Sequence, residues 1–183
     1  MPAIILDRDG VINRDSANFI KSVDEWEALP GSLEAIARLA VAGWQIAVCT
    51  NQSGIARGLL HPATLQDIHD HLRVQVQELG GRIDGIYACP HGPEHSCGCR
   101  KPAPGLLLAA ARDLGFVLAG TPVIGDTARD LTAAANVGAR PILVRTGKAE
   151  DKSAAGIDTN VEVYDDLRQA VSVLLGERTM ENP

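Results

Sequence analysis

Acidic side chains that could hold a divalent metal ion follow two separate apolar segments of this chain. Asp7 and Asp9 come directly after a short apolar run near the start of the sequence. Asp126 follows a second apolar run, and Asp130 stands four residues beyond it. Crowded carboxylates repel one another, whereas a hard cation such as Mg²⁺ binds carboxylate oxygens together with water and substrate phosphate. The pattern therefore predicts a magnesium site that receives a phosphate group.

The spacing of Asp7 and Asp9 has two interpretations. In an extended chain the two side chains would point to opposite faces, so the chain must turn after Asp7, and Gly10 makes that turn easy. One carboxylate could then face phosphorus while the other reaches the leaving oxygen. Alternatively, both acids merely cap a turn. Acids or hydroxyls at the ends of three predicted strands, with Thr50 after the second, favour the chemical interpretation.

A second group of potential metal ligands lies in a segment rich in glycine and proline. Cys89, His91, Cys97 and Cys99 place three thiols and one imidazole within eleven residues, a set that suits a structural Zn²⁺ ion. Four protein ligands would close the coordination sphere, so this metal would stabilise the loop rather than react. His95 is a rival ligand, and a loop of free thiols with a solvated histidine is the alternative.

Short apolar runs alternate with segments of helical periodicity along the chain. The predicted strands lie at 3–6, 44–49, 83–88, 122–124, 141–144 and 161–163. The predicted helices begin at Ser32, which would act as an N-cap, and at Pro62, Gly105, Ala128 and Asp166. Strands that alternate with helices form right-handed βαβ units, so we expect an α/β domain with a parallel sheet. Ligands bind beyond the carboxyl ends of such strands, which is where the acidic residues stand.

The length and composition fit one domain. The chain has 183 residues, of which 45% are hydrophobic and 22% are charged. We expect the domain to span residues 1–176, followed by a frayed tail at 177–183. Aromatic residues make up 3% of the chain, so its core would be mostly aliphatic. The histidines His61, His69 and His71 are expected on a solvated helix face.

Charge and hydropathy exclude several kinds of partner. A net charge of −6 without a run of lysines and arginines argues against nucleic-acid binding. The sequence has no apolar stretch long enough to span a membrane, and the segment before Asp7 is too short for a signal-peptide core. We therefore expect a cytoplasmic protein, taken to be a monomer, whose clustered cysteines bind metal rather than form disulfides.

Four motifs of this chain resemble the signature motifs of the haloacid-dehalogenase superfamily. They are residues 7–13, 50–58, 99–102 and 125–126, the last with Asp130. The resemblance runs from Ile4 to about Gly147. Within the superfamily the chain resembles the D,D-heptose 1,7-bisphosphate 7-phosphatases, which share a subfamily with the histidinol-phosphate phosphatases. This resemblance implies a Rossmann-like parallel sheet with helices on both faces, no large cap domain, and a zinc-bearing loop at 89–99.

The resemblance also implies catalytic roles. Asp7 would attack phosphorus and form an aspartyl-phosphate, and Asp9 would protonate the leaving oxygen and later accept a proton from water. Because an ordinary aspartate has a pKa of about 3.9, we expect Asp7 to be ionised near neutrality. Thr50 would hydrogen-bond a phosphoryl oxygen, and Lys101 would neutralise charge in the transition state.

The same resemblance implies both metal sites. Mg²⁺ would be held by Asp7, by Asp126 and by the backbone carbonyl of Asp9, while Asp130 would orient a metal-bound water. Zn²⁺ would be held by Cys89, His91, Cys97 and Cys99, which favours His91 over His95.

Substrate contacts are implied around the same cleft. The candidates are Asp15, Asn18, Thr50, Asn51, Gln52, Ser53, Arg57, Arg100 and Lys101. Two positions depart from the family pattern. Thr127 stands where related phosphatases often have lysine, and the segment from Asp15 to Phe19 lacks the glycine–tyrosine pair that often follows the acid in heptose enzymes.

The resemblance leads to one principal function and several alternatives. The principal one is magnesium-dependent removal of the 7-phosphate of D-glycero-D-manno-heptose 1,7-bisphosphate, a small phosphorylated sugar on the way to lipopolysaccharide. A histidinol-phosphate phosphatase is the nearest rival, and Arg57 and Arg100 favour the bisphosphate because it needs a second cationic site. A non-catalytic, zinc-stabilised binding module and a nucleic-acid 3′-phosphatase are further alternatives.

Overall fold

Strands and helices alternate along residues 1–148 and 161–177, which are the residues that the computed structural model describes. The strands are β1 (Ala3–Leu6), β2 (Gln45–Asn51), β3 (Gly85–Cys89), β4 (Pro122–Gly125), β5 (Arg140–Val144) and β6 (Glu162–Tyr164). The helices are α1 (Ser32–Val41), α2 (Pro62–Glu78), α3 (Gly105–Leu114), α4 (Ala128–Ala135) and α5 (Leu167–Leu174). The predicted alternation is confirmed, with boundaries shifted by one or two residues.

All described strands belong to one parallel sheet of six, in the order β3-β2-β1-β4-β5-β6. The chain builds outward from β1 to β3 and then returns to place β4 on the other side of β1. Strands β1 and β4 are therefore neighbours although more than a hundred residues separate them. Such a reversal of strand order opens a crevice at the carboxyl ends of the two strands.

The sheet is covered by helices on both faces, as predicted. Side chains of a strand alternate between the faces, so Ile4 and Leu6 of β1 join one apolar cluster and Ile5 joins the other. The first cluster includes buried side chains of α1, α2 and α5, and the second includes those of α3 and α4. Both clusters are mostly aliphatic, which agrees with the low aromatic content.

The prediction that Ser32 caps α1 is wrong. Ser32 is the first helical residue, and the N-cap is Gly31, whose φ of 76° lies in the left-handed region. The Ser32 hydroxyl lies 2.6 Å from Ile12 O and 2.8 Å from Leu29 O. The hydroxyl therefore donates to carbonyl groups of the preceding segment and does not accept a hydrogen bond from a helix N–H. In this way Ser32 connects the segment 7–31 to the start of α1.

The irregular segments 7–31 and 90–104 surround the carboxyl end of the sheet. Within the described residues no large cap domain is inserted, as predicted. Across the same residues, no helix is both long and apolar enough to span a membrane. The predicted frayed tail lies outside the described residues except for Glu177, whose backbone N–H donates to Ser172 O. Residues 147–158, a polar stretch for which the sequence predicts no element, also lie mostly outside them.

Candidate active site

The acidic residues meet because β1 and β4 pair in register. Leu6 lies opposite Ile124, and the backbone N–H of Asp7 donates to Ile124 O at 2.9 Å. Asp7 and Asp126 therefore leave neighbouring strands side by side. They open into a polar cleft of about 200 Å³, lined by Asp7, Asp9, Asp15, Ser16, Ala17, Phe19, Ile20, Thr50, Asn51, Gln52, Ser53, Arg100, Lys101, Asp126, Thr127, Arg129, Asp130 and Lys148.

Three carboxylates form the centre of the cleft. One oxygen from each of Asp7, Asp126 and Asp130 lies within 4.8 Å of the others, a grouping that could hold a metal ion. Oxygen ligands on adjacent acids suit a hard cation such as Mg²⁺. The carboxylate of Asp9 is not part of this grouping, so Asp9 could contribute to the metal through its backbone only.

Lys101 supplies the positive charge among these acids. Its Nζ lies 2.9 Å from Asp7 Oδ1, 2.6 Å from Asp130 Oδ1 and 2.7 Å from Cys49 O, and 4% of its side chain is exposed. Burial lowers the pKa of Lys101, but the carboxylates of Asp130 and Asp7 outweigh that effect and raise the pKa above its ordinary value. Lys101 is therefore a permanent cation in the cleft.

The surroundings of Asp7 in the metal-free protein oppose its expected ionisation near neutrality. Burial raises the pKa of Asp7 to about 8, since the attraction of Lys101 is opposed by the charges of Asp130 and Asp126. Burial, with the charge of Asp130, also raises the pKa of Asp126 to about 6. A second cation is needed to balance these acids, and a divalent ion at the grouping would favour their ionised forms.

Asp9 lies in a different environment. Its Oδ1 accepts from Arg8 Nε at 3.0 Å, Arg8 Nη2 at 2.7 Å and Asn13 Nδ2 at 2.9 Å, while its Oδ2 accepts from Gln52 Nε2 at 2.7 Å. Burial alone would raise the pKa of Asp9, but the Arg8 guanidinium and the amide donors hold it below its usual range. The two aspartates of the D-x-D pair thus have pKa values shifted in opposite directions.

Residues at the end of β2 and directly after it stabilise the cleft. Thr50 is buried, and its Oγ1 accepts from Gln52 Nε2 at 2.9 Å. The Asn51 side chain makes two hydrogen bonds to the backbone of Lys101. Asn51 Nδ2 donates to Lys101 O at 3.1 Å, and Lys101 N donates to Asn51 Oδ1 at 3.0 Å. The amide of Asn51 is therefore engaged in holding Lys101, while Ser53 lines the cleft.

The predicted substrate contacts divide into two groups at the rim. Asp15 and Arg100 line the cleft, and Arg100 Nη1 donates to His91 O at 3.0 Å. Asn18 and Arg57 are exposed and do not line it. Instead, the Arg57 guanidinium carbon lies 5.8 Å from the centroid of the Phe19 ring, which does line the cleft.

Sequence reasoning missed several cleft residues. Lys148 donates its backbone N–H to Asp126 Oδ2 at 2.7 Å, and its Nζ lies 2.6 Å from Asp15 Oδ2. Arg129 adds a further exposed cation, on α4. No local pattern marked Lys148, because it stands at the start of a polar stretch; Arg129, between Asp126 and Asp130, could have been found from its neighbours.

Thr127, which replaces the family's frequent lysine, has a structural role here. It is the N-cap of α4, and its Oγ1 and backbone N–H lie 2.7 Å and 3.1 Å from Asp130 Oδ2. Oδ2 of Asp130 thus stabilises the start of α4, while Oδ1 of the same residue pairs with Lys101. Gly125 permits this approach, since a Cβ there would lie 2.1 Å from Asp130 Cβ.

The cysteine-rich loop gathers a second set of potential metal ligands. One ligand atom from each of Cys89, His91, Cys97 and Cys99 lies within 4.8 Å of the others. Nδ1 of His91 lies 3.6 Å from Cys89 Sγ and 3.3 Å from Cys99 Sγ. His95 lies outside this set, and its Nδ1 accepts from Gly92 N at 3.2 Å. The backbone N–H of Arg100 lowers the pKa of Cys97 to about 6, which favours the thiolate that a metal binds. The chemistry of this set is that of a structural zinc site.

Two buried polar residues beside the site were not predicted. Arg8 is completely buried, and its Nη1 lies 3.3 Å from Nε2 of His69. The expectation that His69 lies on a solvated helix face is wrong, since 5% of it is exposed. The apolar stripe Leu65, Ile68, Leu72 and Val76 of α2 could have revealed this, because His69 falls on the same face.

Comparison with known proteins defines the class. A family model described as HAD-hydrolase-like matches residues 98–170, which include Lys101, Asp126 and Asp130. Together with the sheet order and the acids at the ends of β1 and β4, this match defines a hydrolase of the haloacid-dehalogenase class.

Close relatives define the family. A D-glycero-β-D-manno-heptose-1,7-bisphosphate 7-phosphatase from Bordetella bronchiseptica is 51% identical over 178 residues, covering 97% of this chain and 99% of the relative. A protein of the same name from Pseudomonas putida is 51% identical over 167 residues, covering 91% and 95%. The crystal structure of the B. bronchiseptica D,D-heptose 1,7-bisphosphate phosphatase, complexed with magnesium and phosphate, has a TM-score of 0.92 and covers 97% of this chain and all of the other at 50% identity. The chain belongs to this family of heptose-bisphosphate phosphatases.

Proposed function

We propose that this chain removes the 7-phosphate of D-glycero-β-D-manno-heptose 1,7-bisphosphate in a magnesium-dependent reaction. The observation that carries the proposal is the convergence of Asp7 with Asp126, Asp130 and Lys101 in one cleft. Relatives covering nearly the whole chain bear the name of this activity. The β form of the sugar 1-phosphate is taken from their names.

Asp7 acts as the nucleophile and Asp9 as the acid and base. An oxygen of Asp7 bonds to phosphorus as the bond from phosphorus to the sugar oxygen breaks, and Asp9 gives that oxygen a proton. A water molecule then attacks the aspartyl-phosphate and passes its proton to Asp9. Phosphate leaves, and both aspartates return to their starting states. The Arg8 guanidinium and the amide donors lower the pKa of Asp9, which favours the carboxylate that accepts the proton of water. The proton that Asp9 gives in the first step must therefore be taken up when the substrate phosphate binds.

Metal ligands follow from the same geometry. The carboxylates of Asp7 and Asp126 would hold Mg²⁺, with Asp130 beside them. The resemblance to the phosphatase family adds the backbone carbonyl of Asp9 as a further ligand. The ion, when bound, neutralises phosphate charge and keeps Asp7 ionised. Lys101 adds a fixed positive charge for the transferring phosphoryl group, and Thr50 offers it a hydroxyl.

The zinc loop orients part of the cleft. A Zn²⁺ ion held by Cys89, His91, Cys97 and Cys99 would fix a loop that carries Arg100 and Lys101 at its end. Reduced cysteines in this role suit a cytoplasmic location, which we also propose. We also propose that the protein is a monomer.

Cationic side chains at the rim of the cleft would bind the second phosphate of the substrate, the 1-phosphate. Arg100, Arg129 and Lys148 line the cleft and could bind the 1-phosphate, whereas Arg57 would need to leave Phe19 to do so. Three cations at the rim favour a bisphosphate over histidinol phosphate, whose amine would prefer an acid. Asp15 is the acid at that rim, and it is paired with Lys148.

Phosphate release from four substrates in parallel tests the function. The substrates are the β and α anomers of the heptose 1,7-bisphosphate, the heptose 7-phosphate and histidinol phosphate. We expect the highest kcat/KM on the β anomer, with 1-phosphate as the remaining product. A higher kcat/KM on histidinol phosphate would overturn the substrate assignment, and no release from any of them would overturn the phosphatase assignment.

A further inference from the structure

In the sequence Arg8 stands between the two aspartates of the catalytic pair, but its side chain does not line the cleft. Its side chain is completely buried, and Nε and Nη2 both donate to Oδ1 of Asp9. A buried guanidinium cannot lose its proton, so it needs partners for its N–H groups. Asp9 supplies the opposite charge, with 21% of its side chain exposed.

The outer side of the guanidinium is held by α2. Nη1 of Arg8 lies 3.3 Å from Nε2 of His69. Because arginine has donors and no acceptor, Nε2 must accept this bond and the imidazole proton must lie on Nδ1. Burial, followed by the charge of Arg8, lowers the pKa of His69 to about 3, so the ring is neutral. His69 is therefore a fixed acceptor that anchors Arg8.

The donors around Asp9 are distributed unevenly between its two oxygens. Oδ1 receives three N–H groups, from Arg8 twice and from Asn13, whereas Oδ2 receives one, from Gln52. A carboxylate oxygen has about two lone-pair sites, so Oδ1 is saturated. The remaining acceptor capacity of Asp9 is on Oδ2.

We propose that Arg8 and His69 are positioning residues that fix the orientation of the Asp9 carboxylate, holding Oδ1 and leaving Oδ2 as the oxygen that exchanges the proton with the leaving oxygen and with water. This inference rests on the proposed role of Asp9 as the acid. In the transfer, the O–H bond at Oδ2 breaks as the bond from phosphorus to the sugar oxygen breaks, and that oxygen gains the proton. The later attack of water returns a proton to Oδ2.

Leaving-group dependence separates positioning from a purely structural role. A sugar oxygen must be protonated as it leaves, whereas the nitrophenolate of p-nitrophenyl phosphate departs without a proton. Loss of a correctly placed acid therefore slows the sugar phosphate more than the aryl phosphate. General unfolding or distortion of the cleft would slow both by the same factor.

Two substitutions of His69 form the test. In His69→Gln the side-chain amide oxygen can reach the place of Nε2 and accept from Arg8, whereas in His69→Asn it is too short. We expect His69→Asn to lower kcat on the heptose bisphosphate by about 10²-fold and kcat on p-nitrophenyl phosphate by less than about threefold, with KM unchanged. We expect His69→Gln to restore both rates to within about threefold of the wild type.

Controls distinguish failure of the inference from failure of the proposed function. Leu72→Ala removes a buried side chain of the same helix and should lower both rates equally. Asp9→Asn in the same assays reports on the acid itself: equal losses on both substrates would overturn the role of Asp9. If Asp9→Asn shows the selective loss and His69→Asn and Arg8→Lys do not, the positioning role is overturned while the proposed function stands.

Discussion

The ammonium group of Lys101 lies 2.9 Å from Oδ1 of Asp7, so the proposed nucleophile is paired with a buried cation. The same ammonium group reaches Asp130 at 2.6 Å, and both partners are buried. Removal of this cation would leave the buried carboxylate of Asp130 without its partner in a low-dielectric site. Such a loss is much more costly than the loss of a surface ion pair.

We predict that Lys101→Met lowers both stability and turnover. The free energy of unfolding, measured with urea in the absence of metal, should fall by about 3–5 kcal/mol. The kcat should fall by about 10²–10³-fold, since a positive charge near the transferring phosphoryl group is lost. Wild-type kcat in a folded Lys101→Met variant would contradict the role of Lys101.

We predict that magnesium binding displaces protons near neutral pH. The pKa of Asp7 is about 8 in the folded, metal-free protein, against 3.8 for an unperturbed aspartate. Between these values the folded state holds a proton that the unfolded state lacks, so the stability from this group is full at low pH and is lost as pH rises through about 8. The apparent affinity for Mg²⁺ should therefore rise with pH over this window.

Calorimetry in buffers of different ionisation enthalpy measures the displaced protons. We expect release of about one proton per bound Mg²⁺ near neutral pH, since Asp7 must ionise to bind the ion. Asp7→Asn should greatly reduce that release. Magnesium binding by the wild type without any proton release would show that Asp7 is already ionised.

We predict that the zinc loop depends on its thiols. Cys99→Ser should lower the zinc content and, for a loss of about 3 kcal/mol of unfolding free energy, lower Tm by about 6–12 °C. Cys49→Ala is the matched control, because Cys49 is buried in β2 and lies outside the cluster. Elemental analysis should find zinc in the control. Full zinc content in Cys99→Ser would exclude this residue as a ligand.

We predict that Arg100 distinguishes the bisphosphate from the monophosphate. Arg100→Met should raise KM for the heptose 1,7-bisphosphate by about tenfold or more, the value of one charge-assisted hydrogen bond. KM for the heptose 7-phosphate should change little. Arg112→Met is the control, since Arg112 is exposed on α3 and pairs with Asp113. Equal increases in KM for both substrates would remove Arg100 from recognition of the 1-phosphate.

Local pattern was sufficient for the sheet and for the acids at its edge. The acids stand directly after apolar runs, and the carboxyl ends of parallel strands meet at one edge of the sheet. The pairing of β1 with β4, which brings Asp7 beside Asp126, was found only in the structure. The cysteines and His91 were found for a similar reason, because their ligand atoms lie within one short loop.

Contacts that depend on tertiary packing were not predictable in this way. Arg8 contacts His69 across 61 residues, and its burial reverses the ordinary preference of arginine for the surface. The raised pKa of Asp7 depends on burial and on two other carboxylates, so the reference value for aspartate was misleading. The misassigned N-cap has the same origin, since the Ser32 hydroxyl is engaged with Ile12 O of a distant segment.

In the proposed reaction Asp7 itself bonds to phosphorus. Mass analysis of protein quenched in acid during turnover of the heptose bisphosphate with Mg²⁺ tests it most directly. The peptide that contains Asp7 should gain the mass of one phosphoryl group, and Asp7→Asn should show neither this gain nor measurable turnover. Undiminished turnover by Asp7→Asn, or a phosphoryl group on another residue of the wild type, would contradict the claim.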